Sequence, residues 1–410
     1  MRQLNKYPEY HYLERPEKIV ETVIKQLREG KTIENKYLYL ESIGAKNWSA
    51  VEKVLQLCEN EESLLQEYFP RIDRLIKDHT QNRLYDIVSL GCGTGTDDIS
   101  ILEHSAMTGH FSMITIDLSW CILEQGTTKI FNYLRPKMNP QSDVNVLGIC
   151  CDFNSLTKAK EVVRARRKNK VMLFHLLGLT IGNSHEINIL KNISSIMESN
   201  DFLLLSVDLS ASDKEALKSA INAYGNPNAL PAVNNFLLGP LNFSTYFDTD
   251  KQNPSNDPSL KTTIVLNDNQ IDYSFKDYWP KIIKTTSEDI ECKQTGFSDI
   301  EKTVSLVRLY QFGNEKKNQL LCDYSNKYDR GAFEKFIRSL ADNNEINLSL
   351  PSGVGMFEFG VSDKNLDLHK PNQYLILLQK KKLRKRKPNP KIEIEPRSKI
   401  PPRPSAGVSI

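Results

Sequence analysis

YDIVSLGCGTG, residues 85–95, joins a short apolar run to a turn that holds three glycines. A helical pattern over residues 97–104 follows at once. The apolar, partly β-branched run predicts a buried strand. Glycines at alternate positions let the backbone approach a ligand closely, and the following helix offers free N–H groups. The stretch therefore predicts a strand–turn–helix unit whose turn either binds a nucleotide-like cofactor or is only a tight connection.

Apolar strands and helical patterns alternate through the rest of the first half of the chain. Further strands are predicted at 112–116, 144–150, 171–177 and 202–207, and the helices between and after them at 120–133, 156–166 and 184–197. A last strand is predicted at 374–378. Such alternation is typical of βαβ units, so the sequence predicts an α/β fold with a parallel, doubly wound sheet.

Acidic residues end the second and third predicted strands. Asp117 comes about 20 residues after the glycines, where a carboxylate accepts hydrogen bonds from ribose hydroxyls. Asp152 and Phe153 end the next strand, where they would face an adenine amino group and ring. Because parallel strands end at one edge of the sheet, the three segments would line one crevice. The alternative is that both aspartates only cap the helices that follow them.

The spacing of the glycines separates the nucleotide-binding families. Thr96 stands where the dinucleotide fingerprint needs a third glycine, and no P-loop lysine follows. The pattern resembles the class I S-adenosylmethionine-dependent methyltransferases, although Ser89 replaces the acidic residue that many of them carry there. The resemblance implies a Rossmann-like doubly wound sheet and S-adenosylmethionine as cofactor. The implied cofactor-binding residues are Gly91, Gly93, Gly95, Asp117, Asp152 and Phe153.

Five segments resemble, in order, a narrower family: the histidine-specific N-methyltransferases that make trimethylhistidine for ergothioneine. They are residues 36–39 with Gly44 and Trp48, then 67–71, 148–153, 177–183 and 321–328. The fourth, LGLTIGN, is the most specific, because it is similar to the family's L-G-S-T-I-G-N. The resemblance covers residues 17–380 and implies an N-methyltransferase that acts on the amine of a small amino acid or a similar molecule.

The same resemblance implies roles for residues outside the cofactor loop. Tyr39 and Asn183 would be catalytic, since they would hold the amine near the methyl group. Five residues would bind the substrate: Tyr68 and Tyr224 at its backbone groups, Trp48 as a wall, and Asp323 with Ser325 at its side chain. The alternatives are aromatic core packing for Tyr39 and Tyr68 and a turn position for Asn183.

Four residues depart from the family pattern. Asp323 is one methylene shorter than the family's Glu, and Asp97 stands near a position that is usually basic. Leu40 and Leu179 replace an Asp and a Ser. Methyl transfer tolerates these changes more readily than histidine specificity does, so we expect an altered side-chain preference.

Composition excludes several classes of protein. The 410 residues include 39% hydrophobic ones, but no apolar run of 18 or more that would span a membrane. Seven scattered cysteines without a C-x-x-C pair indicate free thiols and a cytoplasmic location. The seven histidines show no metal-binding spacing, and His175, within an apolar strand, is interpreted as a core residue.

The end of the chain is strongly basic. Residues 380–410 hold 11 Lys and Arg against 2 Asp and Glu, a net charge of +9, and are rich in proline. This composition predicts a disordered tail. The tail would either bind nucleic acid, an anionic membrane or an acidic protein, or be merely solvated.

We therefore predict five parts of the chain. They are a helical cap (1–80), an S-adenosylmethionine-binding domain (81–210), a substrate-binding insertion (211–330), a return to the sheet (331–379) and the tail (380–410). Two other functions stay open: methylation of a protein or RNA that the tail anchors, and a non-catalytic scaffold that binds S-adenosylmethionine.

Overall fold

The computed structural model of the chain describes most residues up to 213 and a smaller share of the rest. The described residues are 7–15, 18–19, 21–23, 25, 34–55, 57–81, 84–105, 110–137, 144–169, 171–213, 232, 236, 262–266, 269–273, 281–286, 298–311, 319–360 and 372–381. For 262–266, 269–273, 281–286, 304–311 and 319–324 the description covers the backbone. The tail predicted over 380–410 begins too early, because Lys380 still belongs to a strand of the central sheet. Its remainder from residue 382 on, and Tyr224, lie outside the described residues.

Fourteen strands are found within the described residues. They are β1 (Glu9–Tyr12), β2 (Asp86–Leu90), β3 (Phe111–Asp117), β4 (Val144–Cys150), β5 (Met172–Leu176), β6 (Phe202–Asp208), β7 (Thr262–Leu266), β8 (Asn269–Tyr273), β9 (Lys281–Thr286), β10 (Val304–Gln311), β11 (Gln319–Lys327), β12 (Leu348–Ser349), β13 (Phe359–Gly360) and β14 (Gln373–Lys380). The helices are α1 (Glu41–Leu55), α2 (Leu57–His79), α3 (Thr96–His104), α4 (Trp120–Leu134), α5 (Lys160–Arg166), α6 (Glu186–Ile196) and α7 (Arg330–Ser339).

The central sheet has the order β1-β4-β3-β2-β5-β6-β14-β12, and β13 also pairs with β14. The pairs from β1 to β6 are parallel, whereas β14 runs antiparallel to β6. Strand order reverses between β2 and β5, which is where open α/β sheets bind their ligands. The predicted doubly wound, mostly parallel sheet is confirmed.

Both faces of this sheet are buried, which explains why its strands are nearly continuous apolar runs. On one face, Val88 and Leu90 of β2 join a core with residues of α5, α6 and α7. On the other face, Ile87 joins a second core with residues of α2, α3 and α4. Helices on both faces are what a doubly wound fold requires.

The prediction that the first 80 residues are helical throughout is wrong at residues 9–12. This segment forms β1 and pairs in parallel with β4 at the edge of the sheet. Tyr10 stacks edge-to-face on Trp120 with ring centroids 5.5 Å apart. Its ring also lies where a side chain at Gly148 would be, with Tyr10 Cδ1 2.7 Å from an ideal Cβ. These tertiary contacts hold a four-residue strand that is too short to show a periodic pattern.

Strand β14 completes the sheet from the far end of the chain. It lies between β6 and β12, and its residues 373–378 are buried. The predicted strand at 374–378 is therefore confirmed. No helix in the described part of the chain is both long and apolar enough to cross a membrane.

Candidate active site

The glycine turn after β2 needs its glycines. Gly91, Gly93 and Gly95 have φ angles of +72°, +50° and +76°, which L-residues with side chains adopt only under strain. A Cβ on Gly91 would lie 3.4 Å from the Phe153 ring, and one on Gly95 would lie 2.9 Å from the carbonyl oxygen of Gly126. The turn thus keeps bare backbone between the Phe153 ring and the N-terminus of α3. Such a cradle fits the predicted cofactor loop.

Asp117 lies beside this turn, at the end of β3. Its Oδ1 accepts a hydrogen bond from the backbone N–H of Ser119 at 2.8 Å. Burial raises the pKa of Asp117 to about 6, although backbone N–H groups, including that of Gly93, oppose the shift. The carboxylate is therefore close to both the turn and the sheet edge, as a ribose-binding group would be.

The raised pKa of Asp117 predicts a pH dependence of cofactor binding. Only the ionised carboxylate accepts hydrogen bonds from both ribose hydroxyls. As the pH falls through about 6, protonation of Asp117 should weaken binding of S-adenosylhomocysteine by up to roughly tenfold per pH unit. Isothermal titration between pH 5 and 8 measures this. Asp117→Asn should remove that part of the pH dependence, and an unchanged profile in this variant would contradict the prediction.

Asp152 ends β4 and already holds two partners. Its Oδ1 accepts from the Asn154 N–H at 2.9 Å, which caps the 3-10 turn Phe153–Ala159 as the alternative interpretation expects. Its Oδ2 accepts from Lys36 Nζ at 2.7 Å. Burial lowers the pKa of Lys36, but the bonds to and the charges of Asp152 and Glu34 together outweigh burial and leave that pKa raised. Lys36 has no predicted role, but its ammonium is bonded to the predicted adenine-binding carboxylate.

Tyr39 belongs to a cluster of three aromatic rings. Its ring is edge-to-face to Trp48 and to Phe236, with centroids 5.0 Å apart in each case, and Trp48 lies 5.3 Å from Phe236. Tyr39 ends the 3-10 turn Asn35–Tyr39, and helix α1 follows it closely. A Cβ at Gly44 would lie 2.6 Å from the Tyr39 carbonyl carbon, so only glycine allows this approach. Phe236 was not among the predicted site residues, because no local sequence pattern indicates its place in this cluster.

Asn183 ends a second 3-10 turn, Thr180–Asn183, which follows β5. The turn begins with Gly178 and Leu179 at φ +66° and +57°. The Gly178 N–H donates to Glu61 Oε2 at 2.7 Å, and the Leu179 N–H donates to Ser206 Oγ at 3.0 Å. Two buried side chains from other elements therefore hold the left-handed backbone in place.

Strand β11 passes against both 3-10 turns, Asn35–Tyr39 and Thr180–Asn183. The approach is close, because a Cβ at Gly182 would lie 2.9 Å from the Asn326 carbonyl oxygen. Ser325 of this strand is buried, and the Lys327 ammonium lies 3.3 Å from its Oγ. Asp323 lies two residues before Ser325, in register with Arg308 of β10. The structure thus brings the segments of Tyr39, Asn183 and Ser325 together.

Three buried charged groups fix the end of β11. Lys327 Nζ forms an ion pair with Asp208 at 2.9 Å, and both side chains are almost fully buried. Glu186 of α6 accepts hydrogen bonds from Asn326 Nδ2 at 3.2 Å and from the Tyr328 hydroxyl at 2.8 Å. Buried charges with several partners hold one geometry firmly. They anchor β11 to β6 and α6 beside the second turn.

Tyr68 makes its described contacts with strand β13. Its hydroxyl donates to the Gly360 carbonyl oxygen at 2.6 Å, and its ring is edge-to-face to Phe359. Burial, helped by the nearby Glu67, raises the pKa of Tyr68 to about 12, so this hydroxyl stays protonated. Its predicted contact with substrate stays a prediction, as does that of Tyr224, which lies outside the described residues.

Several titratable groups at the ends of β2 and β5 were not predicted as a site. His175 is buried, and its Nε2 lies 3.2 Å from Asp98 Oδ1. Glu61 and Asp97 lie in the same region and carry raised pKa values, chiefly because of burial. Among the described residues no group of three or more His, Cys, Asp or Glu side chains has the arrangement of a metal site.

The strand order with its reversal between β2 and β5, and the glycine turn with Asp117 beside it, are those of a class I S-adenosylmethionine-dependent methyltransferase. A family model described as "Histidine-specific methyltransferase, SAM-dependent" matches residues 19–242, more than half of the chain. The chain therefore belongs to the family of histidine-specific, S-adenosylmethionine-dependent methyltransferases, and S-adenosylmethionine is its cofactor. No curated protein matches the sequence.

Solved structures resemble the chain only distantly. One is an S-adenosylmethionine-dependent methyltransferase from Clostridium acetobutylicum ATCC 824, 11% identical, with a TM-score of 0.38 over 82% of this chain and 99% of that one. Another is the sugar N-methyltransferase KedS8 from Streptoalloteichus sp ATCC 53650, 7% identical, with a TM-score of 0.30 over 78% of this chain and 88% of that one. The fold assignment rests on the strand order rather than on these similarities.

Proposed function

We propose that this methyltransferase acts on the amine of a small amino acid, or of an amino-acid-like molecule, with a side-chain preference that differs from histidine. The observation that supports this most is the position of β11 against the turns that end in Tyr39 and Asn183. Residues proposed for the amine and residues proposed for the side chain thereby come from three neighbouring segments. A pocket built this way suits a molecule of amino-acid size.

The proposed cofactor residues lie at the ends of three neighbouring strands. Gly91, Gly93 and Gly95 would approach the ligand with bare backbone, and Asp117, Asp152 and Phe153 would hold its ribose and adenine. When bound, S-adenosylmethionine supplies a sulfonium methyl group, which passes to the amine as the C–S bond breaks and its electron pair stays on sulfur. The chain's contribution is to hold the amine in line with that methyl group.

Tyr39 and Asn183 are proposed to orient the amine. An ammonium has no lone pair, so the amine must be neutral when it reacts. The phenol and amide oxygens orient the lone pair of the neutral amine. A carboxylate in their place would stabilise the ammonium form instead. The rings of Trp48 and Phe236, about 5 Å from Tyr39, make the surroundings apolar, which lowers the pKa of an amine bound there. Methyl transfer leaves the product amine as a cation, which then releases a proton to solvent.

Asp323 and Ser325 are proposed to contact the substrate side chain. The family places Glu and Ser against an imidazole, and Asp323 is one methylene shorter than that Glu. A stretched hydrogen bond to a buried polar group costs on the order of 1–3 kcal/mol, which shifts a preference by roughly ten- to a hundredfold. The side chain that fits would reach further than that of histidine or carry a different donor.

Asp323→Glu should therefore raise the rate of histidine methylation about tenfold or more. Asp323→Ala should lower the rate on the preferred substrate. The preferred substrate is found by incubating the protein with S-adenosylmethionine and a panel of amino acids and reading the products by mass. Asp342→Glu, at an exposed position, is the matched control. The proposal fails if wild type prefers histidine over every other amino acid and Asp323→Glu leaves that rate unchanged.

The same assay separates the proposal from the macromolecular alternative, which the basic tail favours. Under the macromolecular alternative, protein or RNA substrates should replace the amino acids as methyl acceptors, and removal of residues 382–410 should reduce the turnover of those substrates. Under our proposal the shortened chain keeps its turnover of the small substrate. A non-catalytic scaffold would bind S-adenosylhomocysteine and methylate neither class.

A further inference from the structure

Two carboxylates lie close together at the switch point of the sheet, and no described lysine or arginine is paired with either of them. Glu61 of α2 is only 3% exposed, and its Oε1 has no hydrogen-bond partner among the described residues. Asp97, the second residue of α3, likewise has a buried Oδ1 with no partner in the described part of the chain. A buried, unpaired carboxylate oxygen is costly unless a donor meets it. Two of them in one place indicate a missing donor.

The surroundings of this pair are predominantly negative. Burial and then the charge of Glu61 raise the pKa of Asp97 well above its ordinary value, and Asp98, Glu52 and Glu62 add to the shift. Burial also raises the pKa of Glu61, while its bonds from the Ser206 hydroxyl and the Gly178 N–H, and the nearby His175, oppose this. A positively charged group bound between the carboxylates would relieve both the repulsion and the lack of donors.

The position of Glu61 and Asp97 along the sheet edge indicates which molecule carries the positively charged group. Proposed adenine and ribose contacts, Asp152 and Asp117, end β4 and β3, and the order continues through β2 to β5. Asp97 directly follows the glycine turn of β2, and Glu61 is bonded to Gly178, just after β5. A cofactor with its adenosine over β4 and β3 extends its amino-acid end toward β2 and β5. That end carries a primary ammonium.

We infer that Glu61 and Asp97 form a subsite for the α-ammonium group of S-adenosylmethionine, an inference that rests on the proposed cofactor-binding residues. The reacting amine of the substrate is the poorer fit, because carboxylates would keep it protonated and without a lone pair. The α-ammonium of the cofactor does not react, so its charge is an advantage. The family usually carries a basic residue near position 97. This chain has the acidic Asp97 there, which suits a cationic ligand group such as an ammonium.

Isothermal titration with three cofactor fragments tests the subsite without catalysis. S-adenosylhomocysteine carries the ammonium and the carboxylate, its decarboxylated form keeps only the ammonium, and 5′-methylthioadenosine lacks both. Glu61→Gln and Asp97→Asn should each weaken the two ammonium-bearing ligands about ten- to a hundredfold. Both variants should leave the affinity for 5′-methylthioadenosine unchanged. They are isosteric and relieve charge repulsion, and Glu103→Gln, exposed on the same helix, is the matched control.

Asp117→Ala and Asp152→Ala separate this inference from the cofactor assignment beneath it. They should weaken all three ligands, because all three contain adenosine. The subsite is overturned if these two variants lose affinity while Glu61→Gln and Asp97→Asn bind S-adenosylhomocysteine as tightly as wild type. It is also overturned if the amide variants weaken 5′-methylthioadenosine equally. If Asp117→Ala and Asp152→Ala weaken no ligand, the cofactor assignment fails and the subsite with it.

Discussion

Asn183→Asp is expected to lower the rate of methyl transfer at neutral pH about ten- to a thousandfold, because an adjacent carboxylate raises the pKa of an amine by roughly 1–3 units. The neutral, reactive fraction of the bound amine falls by the same factor. Asp has the shape of Asn, so the turn Thr180–Asn183 should keep its geometry. The measurement is the turnover of the preferred small substrate at several pH values.

The pH profile distinguishes this effect from simple damage to the turn. Raising the pH should restore much of the lost rate in Asn183→Asp, since the amine then deprotonates despite the added charge. Affinity for S-adenosylhomocysteine should be unaffected. Asn188→Asp, exposed on α6, adds the same charge away from the site and should behave as wild type. A loss that is equal at every pH would contradict the proposed role of Asn183.

Lys327→Met should destabilise the fold by about 3–5 kcal/mol, because it leaves the Asp208 carboxylate buried and without its ion-pair partner. Urea unfolding of the purified protein measures the free energy. Any variant that still folds should also lose the position of Ser325, whose Oγ lies 3.3 Å from the Lys327 ammonium. A matched loss of substrate affinity is therefore expected.

Two further variants identify the cause of that loss. Lys335→Met, at an exposed position of α7, removes a lysine of the same size and should change the stability little. The double variant Lys327→Met with Asp208→Leu removes both charges and should regain most of the stability, since well-packed apolar residues replace buried pairs at little cost. If Lys327→Met costs less than about 1 kcal/mol, the ion pair does not hold β11.

The sequence predicts the central sheet well because its strands are buried on both faces. Residues 144–150 form a mostly apolar run and make β4 with those bounds, and the strands before and after it in the chain, β3 and β5, agree with their predictions to within a residue. Such runs are visible in the local sequence. Strand β1 shows the limit, because four residues have no period, and Tyr10 is held by Trp120 and by the space above Gly148, neither of which a local pattern reveals.

The candidate site likewise has residues that local sequence predicts and residues that only tertiary packing brings together. Gly91 and Asp117 follow predicted strands, so their meeting at the sheet edge follows from topology. The acidic pair, Glu61 with Asp97, does not, because the two residues belong to different helices and meet only through the packing of α2 against α3. Phe236 joins the rings of Tyr39 and Trp48 for a similar reason. Local sequence patterns do not predict contacts of this kind between distant segments.

The position of β14 affects how the chain is made. While synthesis is still short of residue 373, β6 is an open edge of the sheet with the sequence FLLLSVD. An apolar strand edge of this kind is a template for pairing with other chains. The nascent protein therefore carries an unpaired, aggregation-prone edge until β14 has been synthesised. Premature termination upstream of β14 would yield an aggregating product rather than a smaller enzyme.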